Sequence, residues 1–184
     1  MKRERENEES DSDKLVKQKS KPVKTLFKEN VVDPEIASYL YEWLKNNTKW
    51  GEAVRSRIKG FTRKGQHYTF GTKDIVDSVI VNTINVMTAE KDEVKHYECD
   101  EIFLNYYESG KMWCQNHSHK GSHQVVISLG ATRQLHVGKK IFKMTNGSAC
   151  FFGSAVHGVP VENDVIEGRI SIAIFLTKKN KVIK

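Results

Sequence analysis

The sequence predicts a mainly β (α+β) fold, a jelly-roll core of short strands buttressed by helices that precede it. Three observations predict it. From about residue 100 to 178 the apolar residues fall in short runs closed by glycine or asparagine, the pattern of antiparallel strands joined by turns. Upstream, between about residues 33 and 92, two stretches repeat their apolar residues at helical spacing. Helices first and strands afterwards point to a helix-covered β-sandwich or jelly roll, not to alternating βαβ units.

The elements follow in order. Residues 1–24 alternate Lys and Arg with Glu and Asp and hold almost no large apolar side chains. Such a tail cannot bury enough surface to offset its ordering entropy, so disorder is expected there and one folded domain over 25–184. Asp33 can cap a helix and Pro34 suits its first turn. Ile36, Tyr39, Leu40, Trp43 and Leu44 then mark its buried face, and Asn46 and Asn47 end it. Trp50 to Gly71 mixes Arg, Lys and Gly with Phe61, Tyr68 and Phe70, which reads as hairpins or loops. A second helix is expected from about Asp74 to Glu90, with Ile75, Val79, Ile80, Thr83, Ile84 and Met87 on one side. Strands are expected at Ile102–Tyr107, Gln124–Leu129, Gln134–Val137, Ile141–Met144, Ala149–Phe152 and Ile170–Phe175.

Composition narrows the function. The 184 residues carry three cysteines, Cys99, Cys114 and Cys150, with no CxxC pair, so neither a disulfide framework nor a zinc ribbon is indicated. No apolar run reaches the roughly 18 residues of a membrane span, and the charged N-terminus lacks a signal-peptide core. The expectation is an intracellular protein of cytoplasm or nucleus, without a membrane partner. A net charge of +7 favours polyanionic partners, because each phosphate neutralised by Lys or Arg releases counterions.

His117 and His119 flank Ser118, and on a strand such side chains share a face. His157, far downstream, can close a three-cornered cage that leaves coordination positions open. Imidazole suits iron, zinc, copper and nickel alike, so the residues alone do not choose the metal.

Several short motifs add to this cage. They are Asn105-Tyr106-Tyr107 with Gly110, Ser128-Leu129-Gly130, His157-Gly158-Val159-Pro160 and Arg169-Ile170-Ser171. Their order and spacing, from about Trp50 to Leu176, resemble the AlkB family of iron(II)- and 2-oxoglutarate-dependent dioxygenases. The resemblance implies a double-stranded β-helix (jelly-roll) core. It implies Fe(II) held by His117, His119 and His157, and 2-oxoglutarate bound by Asn105, Tyr107 and Arg169. The implied reaction is oxidative demethylation of alkylated bases in DNA or RNA. Arg55, Arg57, Arg63, Lys64, His67 and Tyr68, with Lys59, Phe61 and Phe70 among them, would form a lid that grips the nucleic acid.

Two positions depart from that family. His119 stands where it has an aspartate, and Phe175 where it has a second arginine, six residues beyond Arg169. Both changes fall on catalytic machinery, which raises an alternative: a catalytically degenerate nucleic-acid-binding or scaffold protein on the same fold. A second resemblance is to cupin metalloproteins, through Gly110, His117, His119, Gly130, Gly147 and His157. It would make His123 a fourth ligand and dispense with oxoglutarate.

Overall fold

The computed structural model describes residues 23–56, 60–89 and 95–180. The predicted disordered tail up to residue 22, and the lid residues Arg57 and Lys59, lie outside them. The chain opens with β1 (Leu26–Lys28), α1 (Pro34–Asn47), β2 (Arg55–Ser56), β3 (Gly60–Phe61), β4 (Lys64–His67) and α2 (Asp74–Thr88). The β-core follows as β5 (Lys95–Tyr107), β6 (Cys114–His117), β7 (His123–Gly130), β8 (Arg133–Val137), β9 (Lys140–Met144), β10 (Ala149–Phe152), β11 (His157–Val159) and β12 (Arg169–Asn180). A six-stranded sheet runs β1-β10-β7-β12-β5-β4, and a four-stranded sheet runs β6-β11-β8-β9. Strand pairing in both is antiparallel. The mainly β, helix-buttressed jelly roll expected from the sequence is the fold.

Both helices cover the outer face of the larger sheet. Asp33 caps α1 by accepting from the amides of Glu35 (2.9 Å) and Ile36 (3.2 Å), and Pro34 occupies the first turn. The buried stripe of α1 is Ala37, Leu40 and Leu44, whereas Ile36 and Tyr39 of the expected face are exposed. On α2 the stripe is Val76, Ile80, Thr83 and Met87. These side chains meet Ile170, Ile172, Ile174 and Leu176 of β12 and Val125, Ile127 and Leu129 of β7 in one core cluster. Burying each such aliphatic side chain is worth about 1.5–3 kcal/mol.

Strand alternation sends the intervening residues the other way. Arg169, Ser171, Ala173 and Phe175 of β12, with Gln124 and Val126 of β7, line a cavity between the sheets. Leu135 and Val159 line it from the smaller sheet. One strand thus carries fold on one face and pocket on the other.

A buried ion pair fastens the strands that bear the histidines. Arg133, 1% exposed, donates from Nε to Glu162 Oε2 at 2.7 Å. Its terminal nitrogens donate to the carbonyls of Ser109, Gly110, Met112 and Pro160, tying the approach to β6 to the exit from β11. Gly110 is required in this clasp, because a Cβ there would overlap the carbonyl oxygen of Glu162. Glu162→Ala should cost about 3 kcal/mol, since it strands a buried guanidinium without its partner. Urea unfolding of the variant checks this. Among the described residues no helix is long and apolar enough to cross a membrane.

Candidate metal centre

Two of the three histidines are neighbours across a strand pair. His117 ends β6, His157 begins β11, and the two stand opposite each other in the register. His119 lies two residues past the end of β6, so the expected single-strand pair is instead a strand residue and a loop residue. The rings still converge, with centroids 4.4 Å apart for His117–His157, 4.9 Å for His117–His119 and 5.5 Å for His119–His157. One ring nitrogen from each lies within 4.8 Å of the others.

Backbone carbonyls set the tautomers. His117 Nδ1 donates to the carbonyl of Gln115 at 2.8 Å, and His157 Nδ1 to that of Ala155 at 2.9 Å. A carbonyl only accepts, so Nδ1 carries the hydrogen and the Nε2 lone pair of each ring is left for a metal. The Cys114 thiol beside His117 pushes that imidazole above its ordinary value. Burial pushes His119 down, and burial together with the neighbouring rings pushes His157 down to about 4. His157 is therefore neutral at physiological pH, the state a ligand needs. A folded value below the unfolded 6.5 means that the unfolded chain takes up the proton first. Stability from this group is present above pH 6.5 and is lost as pH falls towards 4. Thermal melts of metal-free protein between pH 7.5 and 4.5 should lose on the order of 2 kcal/mol from this group. The same melts on His157→Gln should lack that part of the slope.

The histidines open onto a cavity of about 540 Å³. Its floor is laid by the β5–β12 register, which sets Tyr107 opposite Arg169 and Asn105 opposite Ser171. Arg169 is 1% exposed; its Nε donates to Ser128 Oγ at 2.8 Å, and its guanidinium lies 5.5 Å from the centre of the Tyr107 ring. Its two terminal nitrogens are buried without a hydrogen-bond partner. Burial pulls the guanidinium down to about 10 and pushes the Tyr107 phenol up. A buried cation with two idle donors is costly until an anion meets it. Asn105 Nδ2 donates to Ser171 Oγ at 3.3 Å, and its Oδ1 accepts from Arg63 Nε.

The remaining expected residues divide. Arg63 enters the cavity and His67 lines its mouth beside Asp100 and Glu101. His67 pairs with Glu101 at 2.9 Å and Lys64 with Glu108 at 2.8 Å. Arg55 is exposed, 6.0 Å from the centre of the Phe61 ring. Tyr68 belongs to the core instead of a lid, being 8% exposed with its hydroxyl donating to Asp77 at 2.6 Å. His123 does not join the triad, because its ring packs on Tyr97 and Phe151. The cupin-like fourth ligand is therefore absent. Phe175 packs edge-on against His119 at 5.0 Å, and no carboxylate joins the triad among the described residues. Ser128 and Ser171, expected only as motif residues, and Gln124, expected only as a strand start, line or seat the site; their signal is polar residues at alternate positions of otherwise apolar strands.

No family model matches the chain, and no curated protein does. Solved structures do. A viral collagen prolyl hydroxylase from Paramecium bursaria Chlorella virus-1, in complex with 2-oxoglutarate, superposes with a TM-score of 0.60 at 12% identity, over 83% of this chain and 96% of that one. A prolyl-4-hydroxylase of Pseudomonas putida gives 0.59 at 13%, over 85% and 93%. HygX from Streptomyces hygroscopicus, solved with nickel and 2-oxoglutarate, gives 0.64 at 8%, over 83% and 82%. The chain has the fold of these proteins. At such identities the likeness is one of fold, and the chemistry must be argued from the residues present.

Proposed function

We propose that this protein is an oxygenase that uses Fe(II) and 2-oxoglutarate. The observation that carries the reading is a triad of imidazoles opening onto the same cavity as a buried arginine with two idle donors. The residues fit both groups. Nε2 of His117 and His157, with a ring nitrogen of His119, would hold the metal. Arg169 would take the far carboxylate of the co-substrate through a two-pronged, charge-assisted contact, steadied by Ser128 and the Tyr107 ring. When bound, iron and 2-oxoglutarate would supply oxygen activation coupled to decarboxylation of the co-substrate to succinate. The chain's own part is orientation and exclusion of water. Val126, Leu135, Val159 and Ala173 give the cavity apolar walls.

For the substrate we propose an alkylated base in DNA or RNA, as in AlkB-like enzymes. Support comes from the net charge of +7 and from exposed Arg55 beside Phe61, which is 50% exposed and two residues before the cavity-lining Arg63. Cations and aromatic faces suit capture of an extruded base. A second reading, a binding or scaffold protein without turnover, is favoured by two features. They are the missing carboxylate at the triad and the apolar Phe175 against His119. The deciding experiment is an anaerobic Fe(II) and 2-oxoglutarate titration, followed by succinate release with methylated oligonucleotides and, in parallel, proline-containing peptides. Oligonucleotide-dependent succinate supports demethylation; peptide-dependent succinate keeps the oxygenase and replaces the substrate. Binding without any succinate leaves the scaffold reading standing.

A further inference from the structure

We propose that Arg63 is the second cation of the co-substrate site, facing the carboxylate nearer the histidines while Arg169 faces the far one. This rests on the oxoglutarate reading above and moves Arg63 from the nucleic-acid lid into the pocket. Arg63 lies between β3 and β4, outside the paired β-core, and its backbone amide donates to the carbonyl of Trp113 at 3.2 Å. That contact anchors the segment beside the approach to β6 and the histidines.

The side chain turns inward from there. Its Nε is bound to Oδ1 of Asn105, a residue only 7% exposed. Asn105 is held in that orientation because its amide nitrogen donates to Ser171 Oγ at 3.3 Å. The bond uses one of the five guanidinium donors, and the terminal nitrogens of Arg63 make no other hydrogen bond among the described residues. The other cations of this region behave differently. Lys64 is spent on Glu108, and Arg55 lies on the exposed face with Phe61. Arg63 alone of the three lines the cavity.

Its position reaches the right groups. Arg63 lines the same cavity as His117, His119 and His157 on one side and Asn105, Tyr107 and Arg169 on the other. Asn105 and Tyr107 sit two residues apart on one face of β5, one bound to Arg63 and the other against Arg169. Two guanidiniums thus converge on adjacent floor positions from unrelated segments of chain. A dicarboxylate carries two negative charges, and Phe175 offers none of the positive charge that would answer the second. Arg63 supplies it.

The test is calorimetric titration of the Zn(II)-loaded full chain with 2-oxoglutarate and with 2-oxopentanoate, which keeps the keto-acid end and lacks the far carboxylate. Arg63→Gln should weaken both ligands at least 10-fold, with Arg63→Lys recovering part of the loss. Arg169→Gln should weaken 2-oxoglutarate and leave 2-oxopentanoate unchanged. The melting temperature without ligand should match wild type in Arg63→Gln, which separates binding from folding; if that variant does not fold, Arg63→Lys carries the comparison. A 2-oxoglutarate affinity within twofold of wild type in Arg63→Gln overturns the proposal, as does a loss confined to methylated-oligonucleotide binding. Wild-type protein that binds no 2-oxoglutarate overturns the co-substrate reading itself.

Discussion

His157→Ala should abolish tight divalent-metal binding. His157 is the most buried of the three ligands, 6% exposed, with its tautomer fixed by the Ala155 carbonyl and its ring opposite His117 in the strand register. Losing a partner that merely orients a ligand costs about 10–100-fold in affinity, and removing the ligand itself should cost more. Competition titration with Zn(II) or Co(II) reads the loss directly. Ser118→Ala is the control, since Ser118 is exposed between two ligands and should change nothing. His119→Ala should lie between them, because a loop ligand is the least constrained. Unchanged Zn(II) affinity in His157→Ala would remove the metal centre from consideration.

Arg169→Leu should produce two effects of opposite sign. Affinity for 2-oxoglutarate should fall by at least about 100-fold, roughly 3 kcal/mol, because two charge-assisted hydrogen bonds are lost together. Stability of the ligand-free protein should hold or rise, because an apolar side chain replaces a buried guanidinium with two unmet donors. Paired calorimetry and thermal melts check both. A large fall in ligand-free stability would mean that Arg169 serves the core and not a ligand.

Much of this architecture was legible because apolar alternation is a local signal. Gln124–Leu129 and Ile170–Phe175 announce themselves by composition, and both fall in long ladders of the larger sheet. The strands whose bounds could not be read are short or polar. Cys114–His117 contains no aliphatic residue, His157–Val159 has three residues, and the first half of β5 is rich in charge. Their strand character comes from pairing partners distant in sequence. The same holds for the site. Three histidines could be read from spacing, whereas the inward turn of Arg63 depends on Asn105, and the seat of Arg169 depends on Ser128, each set by tertiary pairing. The face of α1 was misjudged because Ala37, too small to mark a core position, packs where the larger Ile36 does not.

The two-faced character of β12 has a bearing on how such a protein can change over evolutionary time. Ile170, Ile172, Ile174 and Leu176 are answerable to the helices, while Arg169, Ser171, Ala173 and Phe175 face the cavity. Substitution at the second set leaves the helix-facing cluster untouched, so reactivity and the packing of the helices draw on separate letters of the same segment. An insertion or deletion of one residue would exchange the two sets and forfeit both at once. Descent on this scaffold therefore proceeds by replacement at alternate positions. Replacement at 175 can therefore occur beside an unchanged arginine at 169 without shifting the register of the strand.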